Sequence, residues 1–287
     1  MRKIFNLLIL VLAVSCQPIK NELVLESPSK NLKAKVFLDA GKAYYQLLSS
    51  DGASETIIIK PSPLGLVRND SKFSENLAIE KISSVQTVSD AYTMLTGKER
   101  ELSYTANEAS VLLRNADGKE IEMVFRLFDE GLAFRYVLPG RSDNEFMVMS
   151  ETTGFTISEG ADAWIAPYQP ATTWGDPGYE ANYIAVNAGD PSPNEVGWVF
   201  PLLFNDGDHW ILISESGLDD SFCATHINQN SPGGLYTIAL PEANERYGDG
   251  QVEPVSTLPW DQGRFLCHRQ ASGYSTLPGH PERCRKA

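Results

Sequence analysis

The stretch VLLRNADGKEIEMVFRLFDEGLAFRYVL, residues 111–138, decides the fold. Val111 to Arg114 and Ile121 to Phe128 are two runs rich in apolar and β-branched side chains, with Asn115-Ala116-Asp117-Gly118 between them. A short polar break ending in Asp-Gly between two such runs reads as a β-hairpin, because Gly takes the positive φ that reverses the chain. Asp129-Glu130-Gly131 supplies the next turn, and Leu132 to Leu138 runs on as a third strand.

Outward from this core the pattern repeats. Lys33 to Leu38 alternates apolar and polar side chains, Ala43 to Ser49 follows Gly41, and Glu55 to Ile59 is short and β-branched. Val196 to Phe204 and His209 to Glu215 flank Asn205-Asp206-Gly207-Asp208 as a second hairpin, and Gly234 to Leu240 reads as another strand. No amphipathic helical pattern exceeds about two turns. Many short strands with frequent Gly, Asp and Asn turns predict an all-β fold, a large antiparallel β-sandwich of two broad sheets with little helix. One segment departs from this. Ala166 to Asn194 is rich in Pro, Gly and aromatics and reads as a long structured loop, and loops of that length in a compact domain usually carry function.

The chain has 287 residues with 37 acidic and 24 basic side chains, a formal net charge of −13. An acidic chain without a basic stripe repels phosphate, so no nucleic-acid partner is expected. At this length a sizeable sandwich leaves no room for a (β/α)₈ barrel of about 250 residues. Residues 1–260 carry a net charge of −16, whereas residues 261–287 carry +3 and hold Cys267, His268, His280 and Cys284. Those four match no common zinc spacing closely, and an odd number of cysteines after Cys16 leaves no disulfide framework.

The amino end reads as an address. Arg2 and Lys3 precede the apolar run Ile4 to Val14. That run is too short to span a bilayer, which takes about 20 residues, and has the proportions of a secretory signal over residues 1–15. Ala13-Val14-Ser15-Cys16 looks like a bacterial lipoprotein processing box, although Ala13 replaces the usual leucine. The expectation is lipidation of Cys16 and an exported chain, periplasmic or on the outer membrane. Ordinary signal cleavage nearby is the alternative.

Candidate chemistry is sparse. No P-loop, Rossmann glycine pattern, nucleophile elbow or zinc-protease helix occurs. His209 sits at a hairpin and is expected to face solvent. Cys223-x-x-His226 lacks the second pair that a metal site needs, and Asn205-Asp206-Gly207-Asp208 is too short for an EF-hand loop. The long loop holds the better constellation, Trp164, Tyr168, Trp174, Tyr179, Glu180 and Tyr183. Aromatic faces beside a carboxylate suit a sugar or a cation. The plainer reading is that the rings pin the loop and Glu180 is solvated.

Six segments in order carry a family resemblance: Glu26-Ser27-Pro28-Ser29, Pro61 to Leu66, Phe125 to Tyr136, Glu151-Thr152-Thr153-Gly154-Phe155, Tyr179-Glu180-Ala181-Asn182-Tyr183, and Thr257-Leu258-Pro259-Trp260. From about residue 24 to residue 260 the chain resembles the N-terminal domain of glycoside hydrolase family 97. The resemblance implies an exported bacterial α-glucosidase or α-galactosidase built as a sandwich, a catalytic barrel and a small C-terminal β-domain. It implies calcium in the active site, with one ligand glutamate donated by the sandwich; Tyr-Glu-x-x-Tyr places that role on Glu180. Trp174, Tyr179 and Tyr183 are the expected substrate contacts for an α-linked oligosaccharide or glycoside.

The resemblance stops at Trp260, before the barrel, so the chain by itself is expected to be inactive and to bind calcium weakly or not at all. The missing barrel is then a docking partner, and Glu180 is expected on the surface that faces it, with an apolar patch nearby. A stand-alone carbohydrate-binding surface lipoprotein without hydrolase activity is the competing reading. Residues 261–287 are expected to be a disordered, frame-shifted tail. The codons of Gly263 to Gln270 read one base later allow Val-Val-Phe-Phe-Val-Ile-Gly before Lys or Arg, a buried-strand pattern.

Overall fold

A computed structural model describes residues 21–140, 146–169, 178–216 and 225–240. Cys16, Trp174, Cys223, the amino-terminal run and the tail 261–287 lie outside the described residues.

The strands in chain order are β1 Glu22–Glu26, β2 Leu32–Asp39, β3 Lys42–Ser50, β4 Glu55–Leu64, β5 Leu66–Arg68, β6 Ser71–Lys72, β7 Ala78–Ile82, β8 Gln86–Thr93, β9 Glu101–Arg114 and β10 Glu120–Leu127. They continue with β11 Leu132–Val137, β12 Val148–Glu151, β13 Gly154–Thr156, β14 Asp162–Pro167, β15 Ile184–Asn187, β16 Trp198–Asn205, β17 Trp210–Ile213, β18 His226–Ile227 and β19 Leu235–Ala239. Among the described residues the one helical element is a 3₁₀ turn at Pro232–Gly234. Every strand pair is antiparallel, and the expected all-β class is what the chain adopts.

The strands form an 11-stranded sheet in the order β1-β2-β3-β4-β13-β19-β18-β16-β14-β15, with β17 added beside β16. A 5-stranded sheet, β11-β10-β9-β7 with β8 on β9, packs against it, and β12-β5-β6 makes a small third sheet. Alternation explains the packing. Along β10, Ile121, Met123, Phe125 and Leu127 are buried while the residues between them are half-exposed, and β2 buries Leu32, Ala34 and Val36 in the same way. Side chains at every second position leave one face of each sheet, so two such faces close on one another.

Aromatic rings join the layers. Phe134 of the smaller sheet lies 5.2 Å from Tyr45 and 6.5 Å from Phe155 on the larger one, and Phe155 meets Phe200 edge-on at 6.4 Å. Buried polar groups are satisfied where the layers meet. The Tyr45 hydroxyl donates to the Gly154 carbonyl, and the Tyr136 oxygen accepts the Gly65 N–H and bonds to Thr153. The hairpin read first in the sequence is an anchor as well as a turn. Asn115 Oδ1 accepts the Asp117 and Lys119 N–H groups, while its amide donates to Ser71 Oγ and the Lys72 carbonyl.

Two expectations are corrected. The stretch 166–194 is not one long loop, because Ile184–Asn187 forms β15 and pairs with β14. His209 does not face solvent freely. The β16–β17 turn folds back toward β3, which sets His209 Nε2 3.2 Å from Ser49 Oγ and Nδ1 3.6 Å from Asp206.

Candidate functional site

The connection leaving β14 is tied down before it reaches Glu180. The Tyr168 N–H donates to the Gly197 carbonyl, and Gln169 and Gly178 exchange both backbone hydrogen bonds at 3.1 Å. Asn194 donates to the Tyr168 carbonyl. Gly197 is required at this root. Its φ is +123°, and a Cβ there would lie 2.0 Å from the Ile227 carbonyl oxygen. Only glycine combines that backbone with so close an approach.

Tyr168 is buried, with its ring stacked on His226 at 4.3 Å and met edge-on by Tyr179 at 5.8 Å. The Tyr179 hydroxyl donates to the Thr225 carbonyl, so this ring braces the segment from below although 46% of its surface is exposed. Glu180 follows. Its N–H donates to Gln169 Oε1 at 3.3 Å, and its side chain is exposed, with no ion pair among the described residues. Tyr183 stands exposed just before β15.

The expected cluster of six is therefore divided. Tyr168, Tyr179 and Glu180 gather with His226, a residue read only as half of a metal pair. Trp164 does not join them. It leans across the sheet to stack on Trp210 at 5.3 Å. Trp174 falls outside the described residues.

Two carboxyl groups behind Tyr179 escaped the sequence reading. The Glu215 carboxylate accepts hydrogen bonds from the Thr225 N–H at 3.2 and 3.3 Å and from its hydroxyl. Burial raises the Glu215 pKa in spite of these bonds. Glu151, at the end of β12, is pushed up to about 7 by burial, with the nearby Glu215 charge adding to the effect and a Thr153 hydrogen bond opposing it. Glu151 opens one of the family segments, but nothing in a Glu-Thr-Thr run indicates that the fold will enclose its carboxyl.

Among the described residues no three His, Cys, Asp or Glu side chains gather to hold a metal. Glu180 offers one exposed carboxylate, the hard-oxygen donor type that calcium takes. That fits a single ligand within a site that other groups would complete.

The glycosyl-hydrolase 97 N-terminal family model matches residues 25–262, and the chain belongs to that family. A probable retaining α-galactosidase of Streptomyces bingchenggensis (strain BCW-1) is 27% identical over 230 residues, covering 79% of this chain and 33% of that protein. The crystal structure of a β-arabinopyranosidase superposes with a TM-score of 0.70 at 32% identity, over 77% of this chain and 36% of the other. A family 97 enzyme of Pseudoalteromonas sp. strain K8, solved with panose, gives a TM-score of 0.66 at 24% identity, over 85% of this chain and 34% of its own, a likeness of fold. The chain thus spans about a third of the length of these relatives.

Proposed function

We propose that this chain is the N-terminal sandwich of an exported enzyme acting on α-linked glycosides, and that it donates Glu180 to a calcium site completed by a catalytic barrel. The observation that carries this reading is the Glu180 loop. Its carboxylate is exposed and uncommitted among the described residues, while the Glu180 N–H is held by Gln169 and the preceding Tyr179 is tied to Thr225. A ligand donated across a domain boundary needs that combination, a fixed root and a free head. When bound, calcium would polarise a sugar hydroxyl or the leaving oxygen. The chain's own residues hold the Glu180 backbone in place, and the exposed rings of the neighbouring Tyr179 and Tyr183 are the proposed contacts for the sugar's apolar face. The paired carboxylates that cleave a glycosidic bond are expected from the barrel. Similarity to the α-galactosidase supports the substrate class, as does the panose ligand of the Pseudoalteromonas enzyme. Cys16 is the proposed lipid attachment that would hold the enzyme at a membrane surface.

The test replaces the N-terminal third of the Streptomyces relative with residues 21–260 of this chain. The chimera should hydrolyse an aryl α-galactoside with calcium dependence, and Glu180→Gln should raise the calcium needed for half-maximal rate. An unchanged calcium requirement in that variant overturns the reading. The chain alone should turn over neither aryl α-glucoside nor aryl α-galactoside; turnover that Glu180→Gln abolishes would count equally against it.

A further inference from the structure

The outer face of the β15-β14-β16-β17 part of the large sheet carries a second constellation. Strand register sets Asn187, Asp162, Asn205 and Trp210 side by side in one row. Two residues along, Ala185, Trp164, Leu203 and Leu212 make the next row on the same face. Their neighbours Ala163, Ile165, Phe204, Ile211 and Ile213 point the other way into the core. The two rows are open at five of their eight positions, with Trp164, Leu203 and Asn205 half-buried. Trp210 is 64% exposed and Leu212 65%, and Asp162, Ala185 and Asn187 are exposed as well.

We propose that this face is a carbohydrate-binding platform for an α-linked oligosaccharide, built on Trp210 and Trp164 with Asp162 and Asn187 as its hydrogen-bonding groups. The proposal goes beyond the Glu180 reading and uses none of that loop's residues. Three features favour a sugar over a protein partner. Trp210 is large and exposed, and its ring is fixed by stacking on the half-buried Trp164, so it offers a pre-ordered apolar surface to the C–H face of a pyranose. Beside it stands a row of carboxylate and carboxamides. Among the described residues the Asp162 carboxylate and the Asn187 side-chain carboxamide have no hydrogen-bond partner, although the Asn187 backbone N–H donates to Asp190, whereas Asn205 Oδ1 already accepts the Gly207 N–H. Sugar hydroxyls can replace the water on these groups one for one. A protein surface would instead strip water from an unpaired carboxylate in the middle of the patch, which is why such charges are depleted at the centres of protein interfaces. None of the eight positions is cationic, which disfavours phosphorylated or acidic ligands.

The experiment titrates the full chain, labelled with ¹⁵N at its tryptophan indoles, with panose and separately with raffinose. Spectra should show two indole N–H resonances moving together on addition of at least one sugar, with Trp210→Ala removing one and weakening binding roughly tenfold or more. Asp162→Ala should weaken binding while leaving the melting temperature unchanged, so the proposal does not depend on the fold of the tryptophan variant. Glu180→Gln should bind like the parent chain, which separates this platform from the proposed enzyme site. The proposal is overturned by the absence of any indole shift up to tens of millimolar of either sugar. It is equally overturned by binding that survives both Trp210→Ala and Asp162→Ala. A dimer that Trp210→Ala dissolves in light scattering would make the face a protein interface and end the sugar reading.

Discussion

Replacing Glu151 by Gln should change how stability depends on pH more than it changes the fold. The Glu151 carboxyl closes β12 beside Thr153 and Glu215, and burial holds its pKa at about 7 in the folded chain. An unfolded glutamate titrates near 4.3–4.5. A raised acid is a protonated acid in the folded state. Between about pH 4.5 and 7 the unfolded chain has released this proton and the folded chain has not, so stability falls as pH rises. The difference of roughly 2.5 pH units corresponds to about 3 kcal/mol at 1.36 kcal/mol per unit. The carboxyl is not wholly shielded, and roughly 2–3 kcal/mol is the expected loss from this group between pH 5 and pH 8. Self-repulsion of a chain of net charge −13 tilts the whole curve the same way, so the measure is the difference between parent and variant. Urea unfolding at pH 5, 6, 7 and 8 should show Glu151→Gln near the parent at pH 5 and about 2 kcal/mol more stable at pH 8. Part of the slope should persist in the variant, because Glu215 is raised by the same enclosure. Parallel curves for parent and variant across this range would refute the assignment of a buried, protonated Glu151.

Three further outcomes follow from the packing. Gly197→Ala should cost about 3 kcal/mol or more, because a methyl group would meet the Ile227 carbonyl at 2.0 Å on a backbone with φ +123°; a melting temperature within a degree or two of the parent would contradict the geometry. Phe125→Ala, which empties a position with no exposure between the layers, should cost about 3–5 kcal/mol in denaturant unfolding. Asp70→Asn should cost about 1–3 kcal/mol near neutral pH. Burial alone would raise the Asp70 carboxyl, but Arg68 at 2.7 Å and Lys119 at 2.6 Å outweigh it and lower its pKa, so its contribution is present above the unfolded value and disappears as pH falls through the folded one. Parent and Asp70→Asn curves should therefore converge in acid.

What was legible in the sequence is what local chemistry dictates. The 111–138 hairpins could be read because Asn115 and Gly118 fit the turn and because β10 buries every second side chain. Strand β8, Gln86–Thr93, could not be read by period, since neither of its faces is buried and no apolar alternation is required of it. It is a strand because β9 pairs with it along its whole length, from Gln86 opposite Glu108 to Thr93 opposite Glu101. The four residues of β15 were lost inside an apparent loop for a similar reason, as their order comes from pairing with β14. The sheet order, in which β4 is followed by β13 and β19, depends on contacts distant in sequence that no local pattern encodes.

The division of the aromatic constellation shows the same limit at the level of the site. Trp164 and Tyr168 are close in sequence and were read as one cluster, and on an unbroken strand alternation would put them on one face. They do lie along one face, but the β14–β16 register shifts between Trp164 and Ala166. Beyond that shift, Ala166, Tyr168 and Val199 are covered by Ala181 and Val196. Before it, Trp164 is half-buried and stacks on the exposed Trp210 across β16. A single sheet face therefore carries two surfaces, one roofed by the Tyr179–Glu180 segment and one bare. The roofed part gives Glu180 a rigid base, because Tyr179 and Gln169 rest on side chains and backbone that are themselves buried or paired. The bare part has no such task in the Glu180 site, and it leaves Trp210 and the Asp162 carboxylate exposed beside a half-buried Trp164. A carboxylate and an indole as exposed as Asp162 and Trp210 add little to the core, and that is the ground on which a ligand-binding role is proposed for this face.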